Sequence, residues 1–202
     1  MNKNKFARII PIALTLVIAA VIIAAAVSLV RFMFFPGSST TTTTTNVNTS
    51  QEALLSTLSD RAVSQTVRGP IVADESFRSY VIKISPNSRN LTVYQGYLDQ
   101  PIKTVSLGNN VQAYEQFVYA LDKANMMKGV EVKGTGNDLN GICAAGSLFE
   151  YQTLKSDVIV KSLWTSTCAG SRGSLNASSD QLNNLFIVQI PGSKDIINQV
   201  WQ

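Results

Sequence analysis

The chain has 202 residues and no histidine. Ser-His-Asp and Cys-His nucleophile systems both need an imidazole to carry the proton, so neither can be assembled. The usual histidine-bearing zinc and iron sites are excluded with them. Cysteine is almost as scarce: Cys143 and Cys168 are the only two. If they pair with each other, thiol chemistry is excluded as well.

Charge is sparse, at 15 % of residues, and unevenly placed. Lys3, Lys5, Arg8 and Arg31 precede the first acid, Glu52, and account for the whole net charge of +4. The rest of the chain is balanced. The basic surplus therefore belongs to the N-terminal segment and forms no stripe for nucleic acid.

What is present begins with a long uncharged run, Ile9 to Val30. As a helix it rises about 33 Å, enough to cross a hydrocarbon core of about 30 Å. Lys3, Lys5 and Arg8 beside it predict a cytoplasmic N-terminus, with the C-terminal region outside the cell. A cleaved signal peptide is the competing reading, with Ala24-Ala25-Ala26 mimicking its cleavage site. Phe32 to Phe35 prolong the apolar stretch and favour a retained anchor, whose partner is the lipid bilayer. Ala20 and Ala24 offer a small-residue face for helix approach.

The expected organisation is a cytoplasmic tail (1–8), a transmembrane anchor (9–35), a Thr/Ser-rich linker (36–50) and one extracytoplasmic domain (51–202). The linker holds six consecutive threonines, Thr40 to Thr45, and too little apolar surface to offset ordering entropy. Asn48, Asn90 and Asn176 begin glycosylation sequons, relevant only in a host that uses them.

The domain reads as α+β, with an antiparallel sheet and two or three helices. Thr49 and Glu52 have capping-box spacing, and Leu54, Leu55, Leu58 and Ala62 continue a helical stripe closed by Gly69-Pro70. Tyr80–Ile84, Leu91–Tyr94 and Ile102–Leu107 read as strands. Asn109 or Asn110 caps a helix that buries Val111, Tyr114, Phe117, Val118 and Leu121 on one face. Val130 to Lys133 reads as a short strand. Near the C-terminus, Leu182, Leu185, Phe186 and Ile190 fit a helix capped by Ser178 or Ser179, while Leu185–Ile190 also fits a buried strand. A short helix follows from Lys194 to Trp201.

A hairpin is predicted from Leu148–Leu154 and Ile159–Trp164. A two-residue loop at Lys155-Ser156 sets Glu150 opposite Lys161 as a cross-strand charge pair, Leu148 opposite Leu163 and Tyr151 opposite Val160. The same register sets Cys143 opposite Cys168 and puts both on the face of Phe149, Tyr151, Val160 and Trp164. An exported chain meets oxidising conditions, so a Cys143–Cys168 disulfide is expected, with two separate buried thiols as the alternative. Closing a loop of about 25 residues is worth roughly 3.5 kcal/mol.

Local motifs for chemistry are incomplete. Ala169-Gly170-Ser171-Arg172-Gly173 approaches a nucleophile elbow but has no histidine to serve it. Asp138-Leu139-Asn140-Gly141 is a fragment of a calcium loop, with Gly136 and Phe149 where ligands belong. Asp74-Glu75, Asp99, Glu131 and Asp138 supply scattered carboxylates for a hydrolase. No catalytic residue, metal or cofactor is expected.

Leu163-Trp164-Thr165-Ser166-Thr167-Cys168 and Leu185-Phe186-Ile187-Val188-Gln189-Ile190-Pro191, set in this layout, resemble uncharacterised single-pass envelope proteins of reduced-genome, candidate-phylum bacteria. That resemblance covers the whole layout and implies no activity. It implies a basic start, one span, a Ser/Thr stalk and a small cysteine-bearing domain. The functional expectation is a membrane-tethered, extracytoplasmic binding or scaffolding domain without catalytic activity, meeting an envelope or surface partner. The alternatives are a pilin-like assembly subunit and a carboxylate-dependent envelope hydrolase.

Overall fold

The computed structural model describes residues 49–131, 139, 141–171 and 173–201. All lie within one compact unit, Val47–Gln202. The expected span Ile9–Val30, the threonine tract, Val132 and Lys133 of the expected short strand, and Asp138 and Asn140 of the calcium-like fragment lie outside the described residues. Among the described residues no helix is long and apolar enough to cross a membrane.

The described region is α+β. Its strands are β1 (Arg61–Arg68), β2 (Arg78–Ile84), β3 (Ser88–Gln95), β4 (Gln100–Gly108), β5 (Leu148–Lys155) and β6 (Val158–Ser166). They form one antiparallel sheet in the order β4-β3-β2-β1-β5-β6. The helices are α1 (Thr49–Leu55), α2 (Val111–Lys123), α3 (Ser179–Ile187) and α4 (Ser193–Trp201).

Alternation along the strands divides the sheet into two unlike faces. One row runs Val105, Leu91, Ile82, Gln65, Tyr151, Leu163 from β4 to β6. Apart from Gln65 these side chains join one apolar cluster with Leu54 of α1, Phe117 and Leu121 of α2, Phe186 of α3 and Ile197 of α4. All four helices thus contribute to the core over this face. The next row, Ser106, Asn90, Lys83, Ser64, Gln152, Ser162, is polar at every strand and lies on the other face. Antiparallel sheets tolerate one solvated face, and this composition follows from it.

Helix ends obey capping chemistry. The Asn110 side chain accepts a hydrogen bond from the Ala113 amide at 2.9 Å, and Ser178 accepts from Gln181 at 3.3 Å. Tyr114, Phe117, Val118 and Leu121 are buried as expected, while Val111 is exposed. The ambiguous C-terminal segment resolves as α3, and Phe117 meets Phe186 edge to face at 5.3 Å.

The expected helical stripe through Ala62 is corrected. The helix stops at Leu55, Leu58 is exposed, and Ala62 belongs to β1, the central strand. Four consecutive residues, Ala62 to Gln65, are buried because the helices cover Val63 and Gln65 on one face, while the strands on either side shield Ala62 and Ser64 on the other, where Ser64 Oγ donates to Gln152. Burial on both faces hides the two-residue alternation that marks other strands.

The hairpin register is corrected as well. Ser156 and Asp157, with φ of 48° and 64°, are the turn, and Lys155 pairs with Val158. A two-residue turn that matches strand twist needs positive φ at both central positions, which aspartate tolerates. Lys83 Nζ donates to Asp157 Oδ1 at 2.6 Å, and the Ser156 amide donates to the Asp60 carbonyl, fixing the turn. A bulge near Thr153 then reverses which side chains share a face. Glu150 lies opposite Trp164, and Lys161 lies opposite Thr153. The expected Glu150–Lys161 pair does not form. Lys161 instead donates to the Met127 carbonyl at 2.9 Å, and Tyr151 faces Leu163, not Val160. Leu148 faces Ser166.

Both sheet edges are managed. The β6 edge is covered: the Ser162 amide donates to Glu131, Trp164 donates to Ser174 Oγ, and Leu175 donates to the Trp164 carbonyl. The β4 edge carries Pro101, Lys103 and a bulge near Val93, three devices that discourage strand addition.

Burial pushes the phenols of Tyr80, Tyr114 and Tyr151 well above the ordinary tyrosine range. The folded state thus favours the neutral phenol. This stability is complete below the unfolded pKa of about 10 and is lost as pH rises beyond it. Denaturant midpoints should be flat up to about pH 10 and fall above it, with these three phenols ionising only as the fold opens. The Tyr114 hydroxyl is also buried and has no hydrogen-bond partner among the described residues. Tyr114→Phe should therefore raise stability by about 1 kcal/mol in chemical denaturation.

Candidate interaction surface

Two loops meet at the end of the sheet reached by the C-terminus of β1. One joins β1 to β2 through a short 3-10 turn at Asp74–Ser76; the other, at residues 96–99, joins β3 to β4. They are tied side chain to backbone. The Tyr97 hydroxyl donates to the Val72 carbonyl at 2.6 Å and accepts from the Val72 amide at 3.1 Å. The Tyr97 amide donates to Asp74 Oδ1 at 2.8 Å, and the Tyr97 ring stacks on Phe77 at 4.3 Å. Gly96 has a φ of 74°, and a Cβ there would lie 3.0 Å from Asp74 Oδ1. Glycine is needed on both counts.

These ties hold large apolar side chains in solvent. Ile71 is 48 % exposed, Val72 42 %, Tyr97 47 % and Leu98 94 %. Isolated exposed leucines are ordinary, but four neighbouring residues on hydrogen-bonded loops form a patch of the kind that marks contact sites.

The Cys143–Cys168 disulfide supports the same end of the sheet, with Cα atoms 5.5 Å apart. Its segment reaches the patch directly, because the Ile71 amide donates to the Ala144 carbonyl at 2.8 Å. Around it, the Ser147 amide donates to Thr167 Oγ1 and the Thr167 amide returns a bond to the Ser147 carbonyl. The bond forms outside the β5–β6 ladder, so the expected cross-strand register is not its origin. Ser171 also has a structural tie here: its hydroxyl donates to the Ile142 carbonyl at 3.0 Å.

The electrostatics of the patch are one-sided. Asp74, Glu75 and Asp99 lie on the two loops, and segments 69–77 and 96–99 contain no lysine or arginine. Arg78, just beyond, directs its guanidinium at the carbonyls of Glu75, Phe77 and Val200. Among the described residues none of these three carboxylates forms an ion pair. The scattered acids of the sequence are thus partly gathered here, whereas Glu131 sits at the β6 edge. Ile71, Val72, Tyr97 and Leu98 were not evident from sequence. Their only signal is apolar residues beside the turn formers Gly69-Pro70 and Gly96.

A second polar cluster lies on the uncovered sheet face. Glu150, with a side chain only 14 % exposed, accepts from Gln152 Nε2 and Ser162 Oγ at 2.8 Å each and from Arg68 Nη1 at 3.4 Å. Its lone pairs are engaged within the fold. A third cluster is internal: Gln65 Nε2 donates to Tyr151 Oη and to Asn183 Oδ1, which also accepts from Tyr80.

No protein-family model matches the chain, and no curated protein matches it significantly.

Replacing Cys143 and Cys168 together by serine should lower stability by about 3.5 kcal/mol, the closure entropy of the loop. Thermal melts with and without reductant check this. Hydrogen exchange at the Ile71 amide should accelerate in the same variant, because its acceptor is carried beside Cys143.

Proposed function

We propose that this chain is a membrane-tethered, extracytoplasmic binding or scaffolding protein that does no chemistry of its own. The Ile9–Val30 run with its basic flank supplies the tether and the orientation, and the threonine tract supplies the spacer. The domain meets its partner through the patch of Ile71, Val72, Tyr97 and Leu98.

One observation carries this reading. The Tyr97 hydroxyl holds both polar groups of the Val72 backbone, so the apolar side chains are presented in a set arrangement before any partner arrives. Preorganised loops lose little entropy on binding. The groups best suited to acid–base work are meanwhile engaged structurally: Glu150 with three donors, and Tyr80 and Tyr151 within the core.

The test is photocrosslinking of the full chain on intact cells. A crosslinking residue at Leu98 should give a discrete adduct, and one at Val188, exposed but on α3's far end, should not. A membrane-impermeant label should reach a tag at the C-terminus. Equal adducts from both positions, or none from Leu98, overturn the binding role. A shielded tag overturns the topology.

A further inference from the structure

We infer that the patch takes a polypeptide segment that combines basic and large apolar side chains. This rests on the binding role proposed above and adds the chemistry of the partner.

The apolar half of the match comes from exposure. Leu98 stands almost fully in solvent, and Tyr97 beside it is a half-exposed aromatic held at both its hydroxyl and its amide. Rigid tyrosines of this kind anchor interfaces because little rotamer freedom is left to lose. An apolar partner side chain packed against them removes water from both surfaces.

The basic half comes from charge. Asp74, Glu75 and Asp99 lie on the same two loops as the apolar residues; the loops carry no cation, Arg78 beside them is turned to backbone carbonyls, and none of the three acids forms an ion pair among the described residues. An anionic lipid surface, a nucleic acid or an acidic glycan would meet like charge here. A segment bearing lysine or arginine meets opposite charge, which speeds encounter and disfavours wrong partners. The attraction is exposed and weakens with salt, because the screening length is about 8 Å at physiological ionic strength.

The experiment uses the full chain in phosphatidylcholine nanodiscs as bait for phage-displayed random peptides. Enriched peptides should pair lysine or arginine with leucine, phenylalanine or tryptophan. The affinity of one such synthetic peptide should fall as salt is raised. Leu98→Asp should weaken it about tenfold or more, the loss typical of an interface anchor. That position is too exposed to disturb the core. Glu75→Gln with Asp99→Asn should also weaken it about tenfold at low salt and flatten the salt dependence; asparagine accepts the left-handed backbone at position 99.

Enrichment of acidic or uncharged peptides, or an unchanged affinity in the Glu75/Asp99 variant, overturns the basic partner while leaving the apolar patch in place. Affinity indifferent to Leu98→Asp overturns the patch itself. Recovery of no peptide counts against both.

Discussion

The fold depends on β1 pairing along both of its edges. On one side it meets β2 from Val63 to Arg68, and on the other it meets β5 over its whole length. Remove it and the sheet divides into a three-stranded meander and a two-stranded hairpin, the second too small to hold a core of its own. The β1–β5 contact joins residues far apart in sequence, so loop-closure entropy opposes it until the ladder forms. A buried polar knot marks the junction. The Gln65 amide donates to Tyr151 of β5 and Asn183 of α3, and Tyr80 of β2 donates to the same Asn183 oxygen. Two amides, those of Gln65 and Asn183, thus link β1 and both neighbouring strands to the helix that covers them. Buried polar groups with partners favour one arrangement over alternatives, because a shifted strand would leave them unpaired.

Around that junction the molecule separates stability from contact. The helices cover one face with apolar side chains, and on the other Glu150 is satisfied by its neighbours Gln152, Ser162 and Arg68. Neither needs a partner. The end of the sheet is different: the patch is ordered by hydrogen bonds and by the Tyr97–Phe77 stack, yet much of its apolar surface stands in solvent. The disulfide stands behind it through Ala144, so the covalent crosslink steadies the surface proposed for recognition as well as the chain.

Much of the fold was legible in the sequence where one face of an element meets water. β2 to β4 announced themselves by alternation, and α2 by its period and by Asn110. The pairing of Cys143 with Cys168 was anticipated from export and their solitary presence. The hairpin register offered for it was wrong, since the actual turn and the bulge near Thr153 arise from backbone conformations that residue names do not specify. The central strand was missed because burial on both faces erases its pattern. The candidate surface was missed because four apolar residues in two separated loops look unremarkable until the loops touch.

By itself, then, the sequence determined what cannot occur, through the missing imidazole. It also determined the local preferences of strands, helices and caps, which are set by neighbours within a few residues. Tertiary structure decided which strand lies in the middle, which residues Glu150 and Lys161 actually meet, and that Tyr97 reaches Val72. These are contacts across long stretches of chain. Their outcome depends on the summed packing of the whole sheet, and no single segment carries that sum.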